Sequence, residues 1–364
     1  MGEVLYRKYR PTGFDEVIGQ EHIVQTLKNA ITQGAVAHAY LFVGPRGTGK
    51  TTLARILAKA VNCPNAAKHK GEPCNACQNC EDIASGRALD IIEIDAASNR
   101  GIDEIRELRE GARLSPTQMR YKVYIIDEAH QLTKEAFNAL LKTLEEPPAH
   151  VIFILATTAA DKMPPTILSR VQRFDFKKFS VAQIEAKLAK ILAQEKVKAE
   201  AGAVRMIAHA AEGGLRDAES MLTQVLSHTQ GTLTEKTVQS VLGVASFKQV
   251  GDLIDLIAKG DLKEMLVYIN TFHNEGGSAE EFLKSLAQYT RKMTLLKIDA
   301  DMRESVVPEL TEEQFSAMVA QAKRFELAAL RRMCEALIEA QENAKRTSLP
   351  LLPLELALMK ISEK

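Results

Sequence analysis

The sequence lacks several features that would assign it to a particular class of protein. Its 47 Lys and Arg residues balance 47 Asp and Glu residues, so its net charge gives no global signal for nucleic acid or a membrane surface. No uninterrupted apolar run is long enough to span a bilayer, and the opening segment MGEVLYRKYRP lacks the apolar core of a secretory signal. We find no low-complexity tract and no internal repeat. Any DNA-binding function must therefore depend on local patches.

Cysteine is also scarce. The chain has five cysteines, and four of them lie between residues 63 and 80. This pattern argues against a disulfide framework and favours a metal site in a reducing cytoplasm. The remaining composition, 46% hydrophobic and 26% charged, is ordinary for a soluble globular protein, and 364 residues suffice for two or three domains.

The first half of the chain alternates short apolar runs with helical patterns. The runs at 39–43, 90–94, 122–127 and 150–158 predict buried parallel strands, and the spacing at 20–33 and 51–61 predicts helices. Such an alternation is typical of an α/β fold, with a mostly parallel sheet flanked by helices.

The second half is predicted to be all-α. Apolar spacing at 184–194, 203–211, 217–227 and 235–242 indicates a small helical domain, and the pattern stays helical from 245 onward. Capping boxes are predicted at 180–183, 278–281 and 311–314, and HNEGG at 273–277 is predicted to separate two helices. We therefore expect three domains, at 1–178, 179–243 and 244–364.

A phosphate-binding loop follows the first predicted strand. GPRGTGKT matches the P-loop pattern in full, and it lies between a strand and a helix, which is the context that the motif requires. The glycines let backbone N–H groups turn toward phosphate oxygens, Lys50 supplies a positive charge, and Thr51 offers a hydroxyl to Mg²⁺. The predicted ATP-binding residues of the loop are Gly44, Pro45, Arg46, Gly47, Thr48, Gly49, Lys50, Thr51 and Thr52.

The run VYIIDEAH at 123–130 predicts a buried strand that places two acids at its carboxyl end. Asp127 is predicted to hold the Mg²⁺ shell together with Thr51, and Glu128 to polarise the attacking water as a general base. DEAH also resembles a helicase box. Such a helicase needs a second ATPase lobe, and the remaining chain is helical, so we interpret that match as coincidental.

The four clustered cysteines have the spacing of metal ligands. Four thiolates close a tetrahedral Zn²⁺ site with no open position, which is typical of a structural site. We predict a zinc module at 62–83, with unliganded thiols or an iron–sulfur cluster as alternatives. The predicted zinc ligands are Cys63, Cys74, Cys77 and Cys80.

Taken together, these motifs resemble one family over essentially the whole chain. The P-loop, IIDEAH, the cysteine insertion, LATT, ILSR and GGLRDAES follow the order found in the gamma/tau subunits of bacterial DNA polymerase III clamp loaders, and LYRKYRPTGFDEVIGQ and FNALLKTLEEPP are also similar. The resemblance implies an AAA+ ATPase core, a three-helix lid and a helical collar that oligomerises. The tau form of the family has additional C-terminal domains, so this sequence is expected to be the short form or part of a longer one.

The resemblance also implies roles for residues after the P-loop. In these clamp loaders the arginine of a Ser-Arg-Cys motif reaches the γ-phosphate held by the neighbouring subunit, so Arg170 is expected to be an arginine finger in trans. Here Val171 replaces the cysteine, and the alternative is a surface arginine paired with an acid. Thr158 is expected to be the polar sensor beside Asp127, with Thr157 as the alternative; a threonine there could also be satisfied by local backbone.

Two further contacts with ATP are implied by the same resemblance. Arg216 of GGLRDAES would be the lid arginine that contacts ATP in cis; alternatively, it pairs with Asp217 or Glu219. An apolar pocket for the adenine is expected near the N-terminus. Its implied residues are Tyr6, Arg10, Pro11, Val17 and Ile18.

Clamp loaders hold DNA through its phosphates, which requires cations and helix N-termini. Asn99 and Arg100 precede a predicted helix start near Ile102, and we predict phosphate contacts there, with a solvated helix face as the alternative. The implied partners are the other subunits of a heteropentamer, the sliding clamp, primer–template DNA and the DNA polymerase III holoenzyme, at replication forks in the bacterial cytoplasm and not at a membrane.

The resemblance therefore implies an ATP-hydrolysing motor that opens the clamp and loads it onto DNA during replication, with ATP, Mg²⁺ and structural Zn²⁺ as cofactors. We find no acidic triad of a polymerase active site. A non-hydrolysing adaptor, stabilised by nucleotide and zinc, is one alternative. An AAA+ helicase or branch-migration motor is another, and it predicts a winged domain after residue 245.

Overall fold

The computed structural model describes residues 4–229, 231–308 and 310–363. The chain divides into two compact units. The first contains the residues up to Ile184 together with Glu212–Ser220, and the second contains Glu185–Ala211 and the residues from Met221 onward. The three-domain division at 178 and 244 stays a prediction.

The first unit is built on a five-stranded parallel sheet. Its strands are β1 Ala39–Val43, β2 Ile91–Asp95, β3 Lys122–Asp127, β4 Val151–Thr157 and β5 Gln172–Asp175. Their order in the sheet is β2-β3-β4-β1-β5. The first four agree with the predicted runs. The fifth was not predicted, because Phe174 is its only buried residue and the strand therefore has no apolar run.

Helices cover both faces of this sheet. Side chains alternate along each strand, so Tyr40 and Phe42 pack on one face and Leu41 and Val43 on the other. The helices up to β5 are α1 Leu5–Lys8, α2 Glu21–Gln33, α3 Lys50–Asn62, α4 Gln78–Ala84, α5 Ile102–Arg113, α6 Lys134–Glu145 and α7 Pro165–Leu168. The first face packs against α2 and α3, and the second against α5 and α6, so the α/β prediction is confirmed.

The rest of the chain is helical, as predicted. The helices after β5 are α8 Val181–Gln194, α9 Ala201–Ala210, α10 Leu215–Leu226, α11 Glu235–Leu242, α12 Phe247–Lys259, α13 Leu262–Asn274, α14 Ala279–Ile298, α15 Arg303–Val306, α16 Glu312–Lys323, α17 Leu327–Ala344 and α18 Leu352–Ser362. The chain passes from one unit to the other within α8, between α9 and α10, and within α10. No helix within the described ranges is long and apolar enough to cross a bilayer.

The largest apolar core of the second unit surrounds α14, where Phe282, Leu286 and Met293 are fully buried. The helix starts follow the predicted caps closely. The boxes at 180–183 and 311–314 have both reciprocal hydrogen bonds. At 278–281 only half of the box was predicted correctly: Ser278 caps the helix, whereas the Glu281 carboxylate turns to Lys284.

Candidate functional site

The P-loop lies between β1 and α3, where the sequence placed it. Gly44, Gly47 and Gly49 have φ angles of 158°, 76° and 95°, which other residues adopt only at a cost. Gly44 is also confined by packing, because a Cβ there would lie 2.7 Å from the Cβ and the carbonyl oxygen of Phe176. The loop backbone is therefore fixed by glycine conformation and by the residue that follows β5.

Lys50 is the first residue of α3 and is buried. Its Nζ donates to the carbonyl oxygens of Gly44 at 2.8 Å and Pro45 at 2.9 Å. Burial lowers the pKa of Lys50, and the nearby carboxylates of Glu128 and Asp127 oppose that shift. The ammonium thus lies in the concave side of the loop, where a triphosphate would replace these carbonyl contacts.

Asp127, the last residue of β3, is hydrogen-bonded to the last residue of the P-loop motif. The hydroxyl of Thr51 donates to Asp127 Oδ2 at 2.8 Å, and Asp127 Oδ1 accepts from the backbone N–H of Glu128 at 2.9 Å. A hydroxyl and a carboxylate at this distance are oxygen ligands of the kind that Mg²⁺ prefers. Thr51 and Asp127 therefore suit the predicted magnesium shell.

Glu128 has the left-handed φ of 47°, which is uncommon outside glycine and asparagine. Thr158 is exposed, and its hydroxyl donates to Glu128 Oε2 at 3.0 Å. Thr157 is buried at the end of β4, where its hydroxyl accepts from the Ala159 N–H at 3.0 Å and lies 2.9 Å from Nδ1 of His130. The two candidate sensors thus have different contacts.

His130 is a residue that the sequence analysis did not select. Its side chain is almost buried, and Nδ1 lies 3.4 Å from Glu128 Oε2 as well as near Thr157. His130 therefore connects Glu128, which follows β3, with Thr157, the last residue of β4. The last letter of DEAH is the only sequence signal that could have identified it.

The start of α10 contacts the P-loop, and the N-terminal segment contacts α10. The Leu215 N–H donates to the Gly47 carbonyl at 3.1 Å, and the guanidinium of the exposed Arg216 lies 4.9 Å from the centre of the Tyr6 ring. Hydrogen bonding to Arg216 and Arg7 lowers the pKa of Tyr6. Tyr6 and Arg216, predicted for separate roles, are therefore neighbours.

The other predicted nucleotide-binding residues differ in exposure. Arg46 is exposed and Thr48 is buried, with its hydroxyl donating to the Pro45 carbonyl at 2.8 Å. Half-buried positions, open enough to contact a ligand, are Arg10, Pro11, Val17, Ile18 and Thr52.

Arg170 lies at the opposite edge of the sheet from the P-loop. Gln172, two residues after Arg170, pairs with Tyr40 near the start of β1, whereas the P-loop begins at Gly44 after the end of β1. Four residues along β1, roughly 13 Å, therefore separate the position of Gln172 from the P-loop. The Arg170 guanidinium donates to Glu145 at 2.8 Å, in an open groove of about 700 Å³. The acid pairing that we considered as the alternative is therefore present in the single chain.

The four predicted zinc ligands converge. The sulfur atoms of Cys63, Cys74, Cys77 and Cys80 all lie within 4.8 Å of one another, compared with roughly 3.8 Å expected around one tetrahedral Zn²⁺. N–H groups point at the sulfurs: the backbone of Cys74 donates to Cys63 Sγ at 3.4 Å, and the Asn65 amide donates to Cys74 Sγ at 3.7 Å.

The ionisation of the cluster is uneven. A hydrogen bond from Ala76 lowers the pKa of Cys74 to about 6, whereas burial raises the pKa values of Cys63 and Cys80. Donors aimed at sulfur favour thiolates, which are the form that binds metal. The donor set fits a structural Zn²⁺.

The predicted DNA contacts follow β2. Asp95 organises this turn by accepting from the Ala97 N–H at 3.0 Å and the Ser98 hydroxyl at 3.1 Å, and its carbonyl accepts from the Asn99 side chain at 3.1 Å. The Arg100 side chain is exposed, while its carbonyl accepts from Thr133. The structure thus fixes the backbone and leaves the guanidinium accessible.

Three family models match the chain in succession. They are DNA polymerase III, delta subunit, over residues 19–180; the ATPase lid domain of the DNA polymerase III clamp loader subunit, over 183–231; and domain III of DNA polymerase III subunits gamma and tau, over 233–363. Together they account for most of the chain.

Characterised relatives agree with these models. The chain is 42% identical to DNA polymerase III subunit tau of Bacillus subtilis over 99% of its own length and 63% of that protein. It is 39% identical to DNA polymerase III subunit gamma of Buchnera aphidicola over 81% of its own length and 79% of that protein. The chain thus spans less than two thirds of the first relative and most of the second.

Among solved structures, the Thermotoga maritima RuvB Holliday junction branch migration motor matches with 22% identity and a TM-score of 0.49. That match covers 68% of this chain and 80% of the motor.

Proposed function

Since the chain belongs to the family of DNA polymerase III gamma and tau subunits, we propose that it is an ATP-hydrolysing clamp-loader subunit that places a sliding clamp on primer–template DNA. The observation that carries this proposal is the grouping of Lys50, Thr51, Asp127 and Glu128 at the carboxyl edge of one parallel sheet. Phosphate-binding and acid–base groups thereby meet where ligands of α/β proteins bind.

Each of these residues has a distinct task. The N–H groups of the P-loop and Lys50 hold the phosphates of ATP. Thr51 and Asp127 would hold Mg²⁺, which neutralises phosphate charge when it is bound. Glu128 accepts a proton from the attacking water, and Thr158 orients the Glu128 carboxylate through its hydroxyl.

Arg170 is proposed to act on a neighbouring subunit. A side chain at the amino edge of the sheet, turned toward Glu145, does not face the P-loop of its own chain. A nucleotide held by an adjoining subunit would meet it there, and a guanidinium stabilises charge that develops on a transferred phosphoryl group. Hydrolysis would then require assembly, which suits a subunit that must release the clamp only on DNA.

The test is phosphate release by the chain alone, then with partner subunits, clamp and primed DNA. We expect slow release by the chain alone and strong stimulation in the complete mixture. The competing proposal is an adaptor that binds nucleotide without hydrolysing it, and flat rates in all mixtures would favour it. The intact Lys50, Thr51, Asp127 and Glu128 argue for the motor.

A branch-migration motor is a weaker candidate. That hypothesis predicts a winged domain after residue 245, and the wing of such a domain contains a pair of strands. Within 245–308 and 310–363 the described chain forms helices and turns and no strand.

A further inference from the structure

The loop that carries the four cysteines, which we call the knuckle (residues 63–80), packs against α2. Gly71 has a φ of 86°, and a Cβ at this position would lie 2.6 Å from the Lys28 carbonyl oxygen and 2.9 Å from the Lys28 Cα. Both neighbours are backbone atoms, which cannot yield as a flexible side chain can. The knuckle and α2 therefore approach as closely as two backbones allow.

An ion cluster lies beside this contact. Lys28 Nζ lies 2.8 Å from Asp15 Oδ1 and 3.2 Å from Glu72 Oε2, and the side chains of Lys28 and Glu72 are only 17% and 18% exposed. Glu72 Oε1 also accepts from the Asp15 N–H at 3.4 Å, and any side chain at Gly13 would collide with the Glu72 carboxylate. Glu72 thus contacts the backbone of Asp15, in the segment that follows α1, and also contacts Lys28, the residue that pairs with the Asp15 carboxylate.

The knuckle is also attached to α3, the helix of the P-loop. The buried Lys59 donates to Asn75 Oδ1 at 2.6 Å, and the Asn79 side chain donates to the Asn62 carbonyl at 2.7 Å. The knuckle therefore connects α3 with the N-terminal segment. The side chains that make these hydrogen bonds are not those of the four cysteines.

The segment that Glu72 touches leads directly to the expected adenine pocket. Phe14 is fully buried and begins a short turn, in which Val17 N–H donates to the Phe14 carbonyl at 3.0 Å. Val17 and Ile18 follow at once. A shift of Gly13 or Asp15 would therefore move the pocket wall, because Val17 follows Asp15 by two residues and Gly13 by four in the same short turn.

We propose that Glu72 is a positioning residue for the nucleotide base, and that metal binding by the knuckle tightens ATP binding by holding Glu72 against Gly13 and Asp15. This inference rests on one part of the proposed function, namely that the chain binds ATP with the adenine base against Val17 and Ile18. The knuckle acts on the base and not on the phosphates, since the P-loop has its own glycine-fixed geometry.

The experiment compares two ligands, MgATP and Mg-tripolyphosphate, by calorimetry on the full chain. Glu72→Ala should weaken MgATP binding roughly three- to tenfold and leave tripolyphosphate binding unchanged. Glu72→Gln retains one acceptor oxygen and should recover part of the affinity. Glu81→Ala, at an exposed carboxylate on α4, is the matched control and should change neither ligand.

Zinc removal by a chelator should reproduce the effect of Glu72→Ala in the unmodified chain and add little to it in the variant, because both act through the same contact. Equal losses for the two ligands, or an equal effect of chelation in both proteins, would overturn the inference. If the helical circular dichroism signal shows that Glu72→Ala does not fold, the same comparison of the two ligands is made with Glu72→Gln, which should bind MgATP more weakly than the unmodified chain.

The inference and the proposed function can fail separately. A chain that binds MgATP as described but never hydrolyses it would refute the motor and keep the role of Glu72. A chain that binds no MgATP would refute both.

Discussion

Arg170 and Glu145 form an ion pair at 2.8 Å, and the same guanidinium donates to the Thr166 carbonyl at 2.7 Å and the Ser169 hydroxyl at 3.0 Å. These acceptors fix the direction of the Arg170 side chain within the single chain. An exposed pair of this kind contributes less than about 1 kcal/mol to stability, so a phosphate can displace the carboxylate at little cost.

Replacing Arg170 should affect ATP hydrolysis without affecting ATP binding. Arg170→Ala should leave the MgATP affinity of the isolated chain unchanged and lower DNA-stimulated hydrolysis in the assembled complex by roughly 10³-fold, because the charge acts only in the transition state. Arg173→Ala, which removes another paired surface arginine, is the matched control. Full stimulation with Arg170→Ala would refute a finger in trans.

The two adjacent threonines should respond differently to the same substitution. Thr157→Val removes a fully buried hydroxyl and leaves the half-buried Ala159 N–H without its acceptor, so it should lower the free energy of unfolding by about 1–3 kcal/mol. Thr158→Val removes only the bond to Glu128, so stability should change by less than about 0.5 kcal/mol, while hydrolysis falls roughly tenfold or more.

Urea unfolding and stimulated phosphate release, measured on both variants, test this pair. Normal hydrolysis by Thr158→Val with a lower rate for Thr157→Val would assign the sensor to Thr157.

Asp90 should make stability depend on pH in the acid range. Burial alone would raise its pKa, but backbone N–H groups of Gln118, Thr117 and Met119 bond to the carboxylate, and the net pKa lies below the ordinary 3.8. The folded state thus favours the charged form. This stabilisation is fully present above the ordinary pKa and is lost as the pH falls through the folded pKa.

Asp90→Asn should therefore lower the free energy of unfolding by about 2–3 kcal/mol at pH 7, and the difference should shrink as the pH falls below about 4. Urea unfolding of both proteins between pH 3 and pH 7 measures it. Asp103→Asn, at an exposed carboxylate of α5, is the control. A difference that stays constant down to pH 3 would contradict the charge-based account.

Loss of one knuckle cysteine should remove the metal. Cys77→Ser should abolish bound zinc in elemental analysis and raise hydrogen exchange across residues 62–83, because a closed four-ligand site stabilises its loop by binding. Cys334→Ser, outside the cluster, should change neither quantity. A full equivalent of zinc in Cys77→Ser would remove this residue from the ligand set.

Much of this site could be predicted from the sequence, because its geometry is local. The P-loop pattern requires glycine wherever φ is positive, and apolar runs followed by Asp127 require a buried strand that ends at the carboxyl edge of the sheet. The cysteine spacing likewise brings four sulfurs together through short turns. In each case the information lies within a few neighbouring residues.

Other features became evident only from tertiary structure. The stacking of Arg216 on Tyr6 and the contact of Glu72 with Asp15 join elements that are distant in sequence. The different contacts of Thr157 and Thr158 depend on which side chain the end of β4 buries. Strand β5 forms because its backbone completes the sheet beside β1, not because its side chains are apolar.

The sequence by itself determined the motifs, the order of the α/β and helical parts, and which residues are predicted to form the phosphate and cysteine sites, since these follow from spacing along the chain. Only tertiary structure decided that Arg170 lies at the edge of the sheet away from the P-loop of its own chain. Its position depends on the register of β5 against β1, which is set by the combined packing of many residues and by no local pattern.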